Sequence, residues 1–414
     1  MKPSRSRLIA IGAAVACAAG AVAISPAISE VQSPSEEDRE GNADRVIIAG
    51  ERVNILQKKS EKWKEGAKTQ WDWWVTDSTP ARVYGECGKD WKQHFAGGAT
   101  EAKLSRDGKS VVVASSAGGV AVVPYNPAGP ARPKTAASFV ACPGGSPHSA
   151  EMLPDGNVAV ATASGIFLYS ATRPADGKNG WGDGDYVDWV ELPAAHGLHW
   201  DEERKKLWAS GSTKGLDKAD GKGMVLGITY SGKPKTPKFG KTPAKYVMPT
   251  TGKELGDIGW GEGNASDGVA YYDSPHELSP IPDGVRDGGT MAITTDLSIY
   301  EFNPDAAGEK FTSPRRPIPG AAEWNHDKHP LNELKGLSIR SDGAAAYARG
   351  ATFVKNERTC NTYSAAYIDF FIKGKHDELQ LAQCNNPNAN PADADKKYTA
   401  GSIYKVRWVA ASVT

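Results

Sequence analysis

Three histidines stand at the same position of a repeated phrase, and their type and spacing suit metal chemistry. Each opens an apolar stretch that ends in an acid seven positions later, which gives the pairs His148 with Asp155, His196 with Glu203 and His276 with Asp283. Neutral imidazoles that converge from adjacent units are good metal ligands and leave a position open for water or substrate. The pattern predicts a divalent metal (Mn, Zn or Ca) at these histidines. The alternative is that the imidazoles only hydrogen-bond neighbouring units and fix their packing.

Two further phrases of the same length begin with other polar residues, Thr100 and Lys335. An ammonium group beside a bound metal has a lowered pKa, so Lys335 is the candidate catalytic base. Thr100 is expected to contact a ligand. Glu151 and Glu277 lie within three residues of a phrase histidine, where a carboxylate binds ligand or supports a metal ligand.

Tryptophans in glycine-rich stretches form a second candidate set. Trp181 and Trp260 have acids close by, and a tryptophan face that stacks on a pyranose beside carboxylates is typical of a sugar-binding surface. Trp71 and Trp73 alternate along a strand pattern instead, and we expect them to pack between sheets.

One further histidine, His199, lies three residues after His196. Simple alternation along a strand places it on the other face, against Trp200 or a neighbouring unit. It is therefore not expected in the ring.

Turn and strand signals describe the elements that must position these residues. In four of the five phrases the acid is followed by glycine, a dipeptide of tight hairpin turns, and short strand patterns come after it. Long helical patterns are absent. Units begin near residues 45, 100, 148, 196, 276 and 335, a spacing that suits four-stranded blades with insertions in the later ones. We predict an all-β fold, a β-propeller of six blades, with seven as the alternative.

A propeller would bring the phrase starts together. The first strand of each blade lines the central channel, so the five starting residues form a ring at one mouth. Insertions decorate one face of such a fold, which is commonly the binding face; they are expected at 214–222, 231–245, 252–274 and 304–331. A terminal strand at 402–408 is expected to pair with the first unit or to close the last blade.

The N-terminus has the form of an export signal. A basic start precedes an apolar run at 8–23 that ends in small residues. The predicted organisation is a signal peptide at 1–29, a disordered acidic leader at 30–44 and one propeller domain at 45–414. The mature protein is expected outside the cell, without stable insertion in a membrane. A lipoprotein attached through Cys17 and an uncut N-terminal anchor are the alternatives.

Cysteine usage agrees with export. Four cysteines remain beside Cys17, and an even number in an exported chain predicts two disulfides. We favour the pairs Cys87 with Cys142 and Cys360 with Cys384, because each would lie within or between adjacent units. Neither a CxxC motif nor the Cys and His spacing of a structural zinc site is present.

Charge and motifs exclude several classes of function. Lysine plus arginine and aspartate plus glutamate both number 49, so no net field favours nucleic acid or an anionic membrane. The chain has no GxSxG motif, no P-loop and no GxGxxG motif after a strand, which removes support for serine hydrolases, nucleotide hydrolases and dinucleotide-binding enzymes. A small molecule or a polysaccharide is the expected ligand, and a monomer the expected state.

Four segments carry a resemblance to a known family: 144–157, 195–201, 275–278 and 334–338. They resemble a family of exported bacterial proteins, common in actinobacteria, of unknown function and with a predicted propeller fold. The similarity extends from about Trp71 to Phe371. It implies the fold and a ring of His148, His196, His276 and Lys335, and it implies no reaction. At the level of architecture the chain is also similar to propeller lyases that hold a metal with channel histidines and cleave acidic polysaccharides.

Two hypotheses of function follow. The first is a secreted binding propeller that takes a ligand, such as a glycan, at a histidine-lined mouth of its channel. The second is a metal-dependent lyase or hydrolase of polysaccharides, with the three histidines as metal ligands and Lys335 as base. The sequence alone leaves open whether the protein is an enzyme.

Overall fold

The structure is a computed structural model. It describes residues 45–76, 79, 81–83, 87, 90–126, 135–170, 186–215, 218, 220–232, 236–249, 273–286, 289–296, 298–312, 334–350, 359–361, 364–381 and 402–409. The predicted signal peptide and leader at 1–44 lie outside the described residues. So do Trp181, Trp260 and Cys384.

Short strands account for almost all of the regular structure. In chain order they are β1 (Arg45–Gly50), β2 (Val53–Lys58), β3 (Ala67–Trp73), β4 (Ala81–Val83), β5 (Ala99–Leu104), β6 (Ser110–Ser115), β7 (Val120–Pro124), β8 (Ala137–Ala141), β9 (Ser149–Met152), β10 (Val158–Ala161), β11 (Gly165–Tyr169), β12 (Asp188–Glu191), β13 (Gly197–Asp201), β14 (Lys206–Ser212), β15 (Gly223–Ser231), β16 (Lys238–Phe239), β17 (Ala244–Val247), β18 (Pro275–Pro280), β19 (Met291–Thr295), β20 (Ile299–Phe302), β21 (Phe311–Thr312), β22 (Leu334–Ile339), β23 (Ala345–Arg349), β24 (Thr359–Asn361), β25 (Ser364–Ala365), β26 (Tyr367–Ile372), β27 (Lys375–Gln380) and β28 (Ile403–Trp408). Two 3₁₀ turns, Trp63–Glu65 and Trp91–Phe95, complete the described elements.

These strands form six sheets, which confirms the predicted all-β, six-bladed propeller. The sheets run β28-β1-β2-β3 with β25 and β24 beyond β28, β5-β6-β7-β8-β4, β9-β10-β11-β12, β13-β14-β15 with β16 and β17, β18-β19-β20-β21, and β22-β23-β26-β27. Most neighbours pair antiparallel, as expected for a meander of adjacent strands. The exception among the described pairs is β4, which lies parallel to β8.

The terminal strand β28 joins the first blade. It pairs antiparallel with β1, so that Val46 faces Trp408 and Ile48 faces Val406. Of the two placements considered for this segment, the structure therefore has the first. A strand from the C-terminal end becomes the inner strand of the first blade, and this pairing closes the circle of sheets and leaves no open edge there.

Hairpin turns join the inner strand of a blade to its second strand. Gly156 takes a φ of 83°, and its amide donates a hydrogen bond to the Leu153 carbonyl at 2.9 Å. The fourth blade lacks glycine at this turn, and Lys205 adopts the left-handed conformation there with a φ of 51°. The turn of the fourth blade is one residue longer, since Asp201 pairs with Lys206 whereas Leu153 bonds to Asn157 in the third blade.

Large aromatic side chains pack between the sheets. Trp71 and Trp73 are buried, which confirms their predicted packing role. The ring of Trp63 stacks on Phe370 with centroids 4.5 Å apart, and Trp408 lies 6.2 Å from the same indole. These contacts join the closing strand to the sixth blade. Within the described part of the chain, no helix is long and apolar enough to span a membrane.

The disulfide predicted between Cys87 and Cys142 is present. It connects the segment before β5 with the end of β8, inside the second blade. The second predicted pair lies partly outside the described residues, since these do not include Cys384.

Candidate functional site

A β-bulge at the start of the inner strands builds the predicted ring. In β5, β18 and β22 the pairing register skips one residue, and the extra residues are Thr100, His276 and Lys335. His148 and His196 lie directly before β9 and β13, and their amides donate to the carbonyls of the second strands. The bulge leaves each of these side chains outside the regular alternation of its strand. All five predicted ring residues therefore occupy equivalent positions at one end of the channel, here named the histidine mouth.

Tyr404 is the sixth member of this ring, and the sequence patterns missed it. It is the extra residue of the bulge in β28, between the pairs Gly50 with Ile403 and Ala49 with Lys405. Its hydroxyl lies 3.2 Å from His148 Nδ1. The repeated phrase does not include Tyr404, because the residue seven positions later is Ala411 and not an acid.

The three imidazoles touch one another around the mouth. His148 and His196 stack with ring centroids 4.0 Å apart and an angle of 25° between their planes. His276 meets His196 edge to face, with centroids 5.3 Å apart. His196 Nδ1 lies 2.9 Å from the Ala194 carbonyl, which places the ring hydrogen on that nitrogen. Thr100 makes a structural contact, because its hydroxyl donates a hydrogen bond to the Pro147 carbonyl at 2.6 Å.

Lys335 and His276 share a buried carboxylate. Lys335 Nζ lies 2.7 Å from His276 Nε2, and Asp296 Oδ1 lies 2.6 Å from the same nitrogen. The ammonium group is 3.4 Å from that carboxylate oxygen. Lys335 is only 1% exposed, and a protonated amine held by an acid is a poor base. Asp296 was not identified in the sequence, because only the pairing of β19 with β18 brings it to the ring.

Burial keeps the ring histidines uncharged. It lowers the pKa of His148 to about 3, with further lowering by the Lys405 ammonium group. It lowers the pKa of His196 well below the ordinary value, and it also lowers that of His276, against the opposing effect of the Asp296 carboxylate. Burial alone would raise the pKa of Asp296, but the neighbouring His276 and Lys335 outweigh it and lower the value to about 2. The imidazoles are neutral at physiological pH.

The arrangement of the rings bears on metal binding. The lone pair of an imidazole nitrogen lies in the plane of the ring. Because the stacked rings of His148 and His196 are nearly parallel, their lone pairs do not converge on a common point. Among the described residues, one group of three donor atoms lies within 4.8 Å of one another, namely Asp369, His376 and Glu378 on β26 and β27. The ring histidines do not form such a group in this conformation.

Below the ring, charged side chains fill the channel. Glu101 and Glu277 are fully buried, and they bind Arg407 at 3.0 and 2.7 Å. Lys405 reaches the same two carboxylates at 3.5 and 3.4 Å, and Lys103 lies 3.5 Å from Glu101. These three cations and two carboxylates pair with one another and form a plug of buried charges across the channel. A ligand would therefore meet the channel at one of its two mouths.

These ion pairs shift the pKa values of Glu101 and Arg407 in the plug. Burial would raise the pKa of Glu101, but Arg407, Lys405 and Lys103 outweigh it and hold that pKa well below the usual range. Burial opposes the charge on Arg407, and the carboxylates of Glu101 and Glu277 overcome this and raise its pKa. Glu277, predicted beside a ligand, therefore serves the plug.

Glu151 and His199 lie at the opposite end of the channel, here named the turn mouth because the inner strands enter their hairpin turns there. Glu151 binds Lys103 at 2.9 Å and lines a cavity at this mouth. His199 lines the same cavity, and the prediction that it faces away from the channel is wrong. The reason is that regular pairing of β13 begins with Gly197 opposite Ser210, so His196 lies before it and alternation counted from His196 does not apply to His199.

Comparisons with known proteins match the chain to one family model and to several solved structures of low identity. The model of a family of unknown function (DUF6528) matches residues 16–256. A solved protein of unknown function from Bacteroides caccae is similar at 10% identity and a TM-score of 0.45, over 88% of this chain and 97% of that one. The β-propeller domain of Cps50 (Swd1) from Myceliophteria thermophila is similar at 12% identity and a TM-score of 0.36, over 71% and 68% of the two chains. The WD40 domain of Pan2 from Neurospora crassa is similar at 7% identity and a TM-score of 0.39, over 75% and 74%. No curated protein matches.

Proposed function

This chain belongs to a family of unknown function (DUF6528), and we propose from its own side chains that it binds a polar, uncharged ligand such as a glycan at the histidine mouth. The proposal rests on one observation above all. Imidazole nitrogens at this mouth have hydrogen-bonding capacity that no described residue uses.

Two nitrogens carry that observation. His276 Nδ1 is buried and has no hydrogen-bond partner among the described residues. His196 donates from Nδ1 to a backbone carbonyl, and the described part of the chain offers its Nε2 no partner. An unsatisfied buried polar atom costs about 1–3 kcal/mol, and a site that is built to bind hydroxyl groups explains such a cost. Neutral imidazoles both donate and accept, as hydroxyl groups do.

The charge balance favours an uncharged ligand. Lys335 is held by Asp296 and His276, and the plug beneath the ring pairs its own cations with its own carboxylates. The ring histidines are neutral because burial lowers their pKa values. Hydrogen bonds, rather than ion pairs, would therefore select the ligand.

Binding to a glycan array, followed by calorimetry with the best glycans, tests this proposal. We expect His196→Phe and His276→Phe to weaken binding about tenfold or more, because each removes a hydrogen-bonding nitrogen and keeps a flat ring. His376→Phe, on the outer strand β27, is the matched control and should bind as the parent does. Equal binding by all three variants would overturn the proposal.

Metal analysis tests the competing hypothesis of a metal-dependent polysaccharide lyase or hydrolase. Protein purified without a histidine tag is assayed for Mn, Zn and Ca. Stoichiometric metal that is lost in the His148→Ala, His196→Ala and His276→Ala variants, with unsaturated products from uronate polysaccharides, would replace our proposal by that enzyme. Metal lost only in His376→Ala would point to the group on β26 and β27.

Export is part of the proposal. The basic and apolar N-terminal sequence supports it, and so does the disulfide between Cys87 and Cys142, because disulfides persist in oxidising compartments. Expression of the full chain in a secreting bacterial host, with fractionation of medium, membrane and cytoplasm, tests it. Protein found only in the cytoplasm would contradict export, and protein held in the membrane fraction would favour the lipoprotein or anchored form.

A further inference from the structure

The turn mouth contains a cavity of about 70 Å³. This is room for a few water molecules or for one end of a larger ligand. Inner-strand residues line it, among them His199, Trp200, Ser338 and Arg407. The plug separates this cavity from the histidine mouth, so the two mouths are distinct surfaces.

His199 is the polar group of the cavity that the protein leaves unused. Its imidazole makes no hydrogen bond with any part of the chain that the structure describes. Burial lowers its pKa to about 3, and the Lys103 ammonium group lowers it further. The ring is therefore neutral and offers one donor and one acceptor. Ser338 adds a second unused group, because its oxygen accepts from the Trp408 amide at 3.1 Å while its hydroxyl hydrogen has no acceptor among the described residues.

Charges at the turn mouth are already paired within the protein. Lys103 binds Glu151 at 2.9 Å. Arg407 is held by the two carboxylates of the plug, and its Nη1 donates to Ser279 Oγ at 3.2 Å. At the rim, Arg106 pairs with Glu202. Since each charged group has a partner of opposite sign, an ionic ligand gains little here.

The wall of the cavity offers a flat apolar surface. Trp200 lines the cavity, and its indole nitrogen donates to Glu202 at 2.8 Å, which fixes the orientation of the ring. Tyr230 packs against the indole edge to face, 5.9 Å away. Leu104 and Pro280 line the same cavity. A fixed aromatic face beside neutral donors and acceptors suits a ring that has apolar faces and hydroxyl groups at its edge.

We propose that the turn mouth is a second binding site, which takes a neutral sugar unit, with Trp200 against one face of the pyranose and His199 and Ser338 bonded to its hydroxyl groups. This inference goes beyond the proposed function because it uses different residues at the other end of the channel. Either site can exist without the other.

Titration of the full chain with methyl glycosides of glucose, galactose and N-acetylglucosamine tests this site, by calorimetry and by saturation-transfer NMR. His199→Phe and Trp200→Leu are expected to weaken binding about tenfold or more. The matched control is Trp189→Leu, which removes an indole that is 46% exposed on the outer strand β12 and should bind as the parent does. His196→Phe is assayed beside these variants to report on the histidine mouth.

Folding of the variants is checked by thermal unfolding. His199→Phe is expected to melt at or above the parent temperature, because the imidazole nitrogens have no partners inside the described chain to lose. On the unsubstituted protein, glycoside is expected to shift the NMR signal of the His199 ring, and an unshifted signal would contradict binding at the turn mouth.

Three outcomes would overturn this inference. They are failure of the parent protein to bind any of the three glycosides, unchanged binding in folded His199→Phe and Trp200→Leu, and tighter binding of glucuronate or galacturonate than of the neutral glycosides. Binding that only His196→Phe weakens would likewise reject the turn mouth while supporting the histidine mouth.

Discussion

At the scale of single residues, burial controls the chemistry of the channel. The imidazoles of His148, His196 and His276 are neutral because their surroundings disfavour a charge. Lys335 keeps a partner, Asp296, that compensates its burial. The result is a surface of neutral donors and acceptors above a sealed set of charges. Both the proposed function and its competitor depend on these protonation states.

Acid is expected to destabilise the protein over a window set by its histidines. An unfolded imidazole binds a proton near pH 6.5, whereas His148 and His199 in the folded protein bind one only near about 3. Between these values the unfolded chain takes up more protons, so the free energy of unfolding falls as the pH falls. Urea unfolding measured across this range checks the effect.

The double variant His148→Phe/His199→Phe supplies the control. Its stability should decline less than that of the parent between about pH 6.5 and about pH 5, where few carboxylates have begun to titrate. The same slope for both proteins would show that these imidazoles are not held neutral.

Lys335→Met is expected to destabilise the protein by about 3 kcal/mol, because it leaves the Asp296 carboxylate buried beside a neutral imidazole. Lys335→Met/Asp296→Asn should recover part of that loss, since it removes the charge together with its partner. Guanidinium unfolding of the two single variants and the double variant measures this coupling. Strictly additive losses would mean that the two side chains do not interact.

At the scale of elements, a bulge near the start of four inner strands, β5, β18, β22 and β28, decides which side chains face the channel. It adds one residue to the strand and so reverses the alternation that follows. In β18, for example, the ring residue His276, the following Glu277 and then Ser279 all face the channel. Simple alternation along the sequence does not predict this shift, and counted from His196 it places His199 on the wrong face.

The second blade depends on its disulfide. Cys87 and Cys142 are 55 residues apart, and opening a loop of that length is expected to lower the free energy of unfolding by about 4 kcal/mol. The Cys87→Ala/Cys142→Ala variant, compared with the oxidised parent in guanidinium, tests this value. Adding reductant should shift the parent toward the variant and leave the variant unchanged; equal stability of parent and variant would contradict the prediction.

At the scale of the whole molecule, the terminal strand closes the propeller and completes its channel. β28 supplies Tyr404 to the ring and Lys405 and Arg407 to the plug. Arg407 bonds to carboxylates of the second and fifth blades, which are far apart in sequence. The last residues of the domain thus tie distant blades together across the axis.

Arg407→Leu is expected to destabilise the protein by about 3–5 kcal/mol, because Glu101 and Glu277 would remain buried with less compensation. Arg106→Leu is the matched control: this arginine is half exposed at the rim and pairs with Glu202, so its loss should cost about 1 kcal/mol or less. Chemical unfolding compares the two. Similar losses would show that the plug contributes no more than a surface pair.

The sequence by itself determined the architecture and most of the ring. Apolar alternation, Asp-Gly turns and a repeated phrase predict a six-bladed propeller and place Thr100, His148, His196, His276 and Lys335 at equivalent positions. These signals are local, since a strand pattern and its turn lie within a few residues of each other. The pair Cys87 with Cys142 also followed from the unit boundaries.

Only the tertiary structure decided what those residues touch. The stacking of His148 on His196, the partnership of Lys335 with Asp296 and the entry of Tyr404 into the ring depend on pairings between strands from different parts of the chain. So does the plug, where charges that look like ordinary surface residues in the sequence become buried pairs. The physical reason is that burial and distance set protonation and hydrogen bonding, and both quantities exist only once the circle of blades is closed.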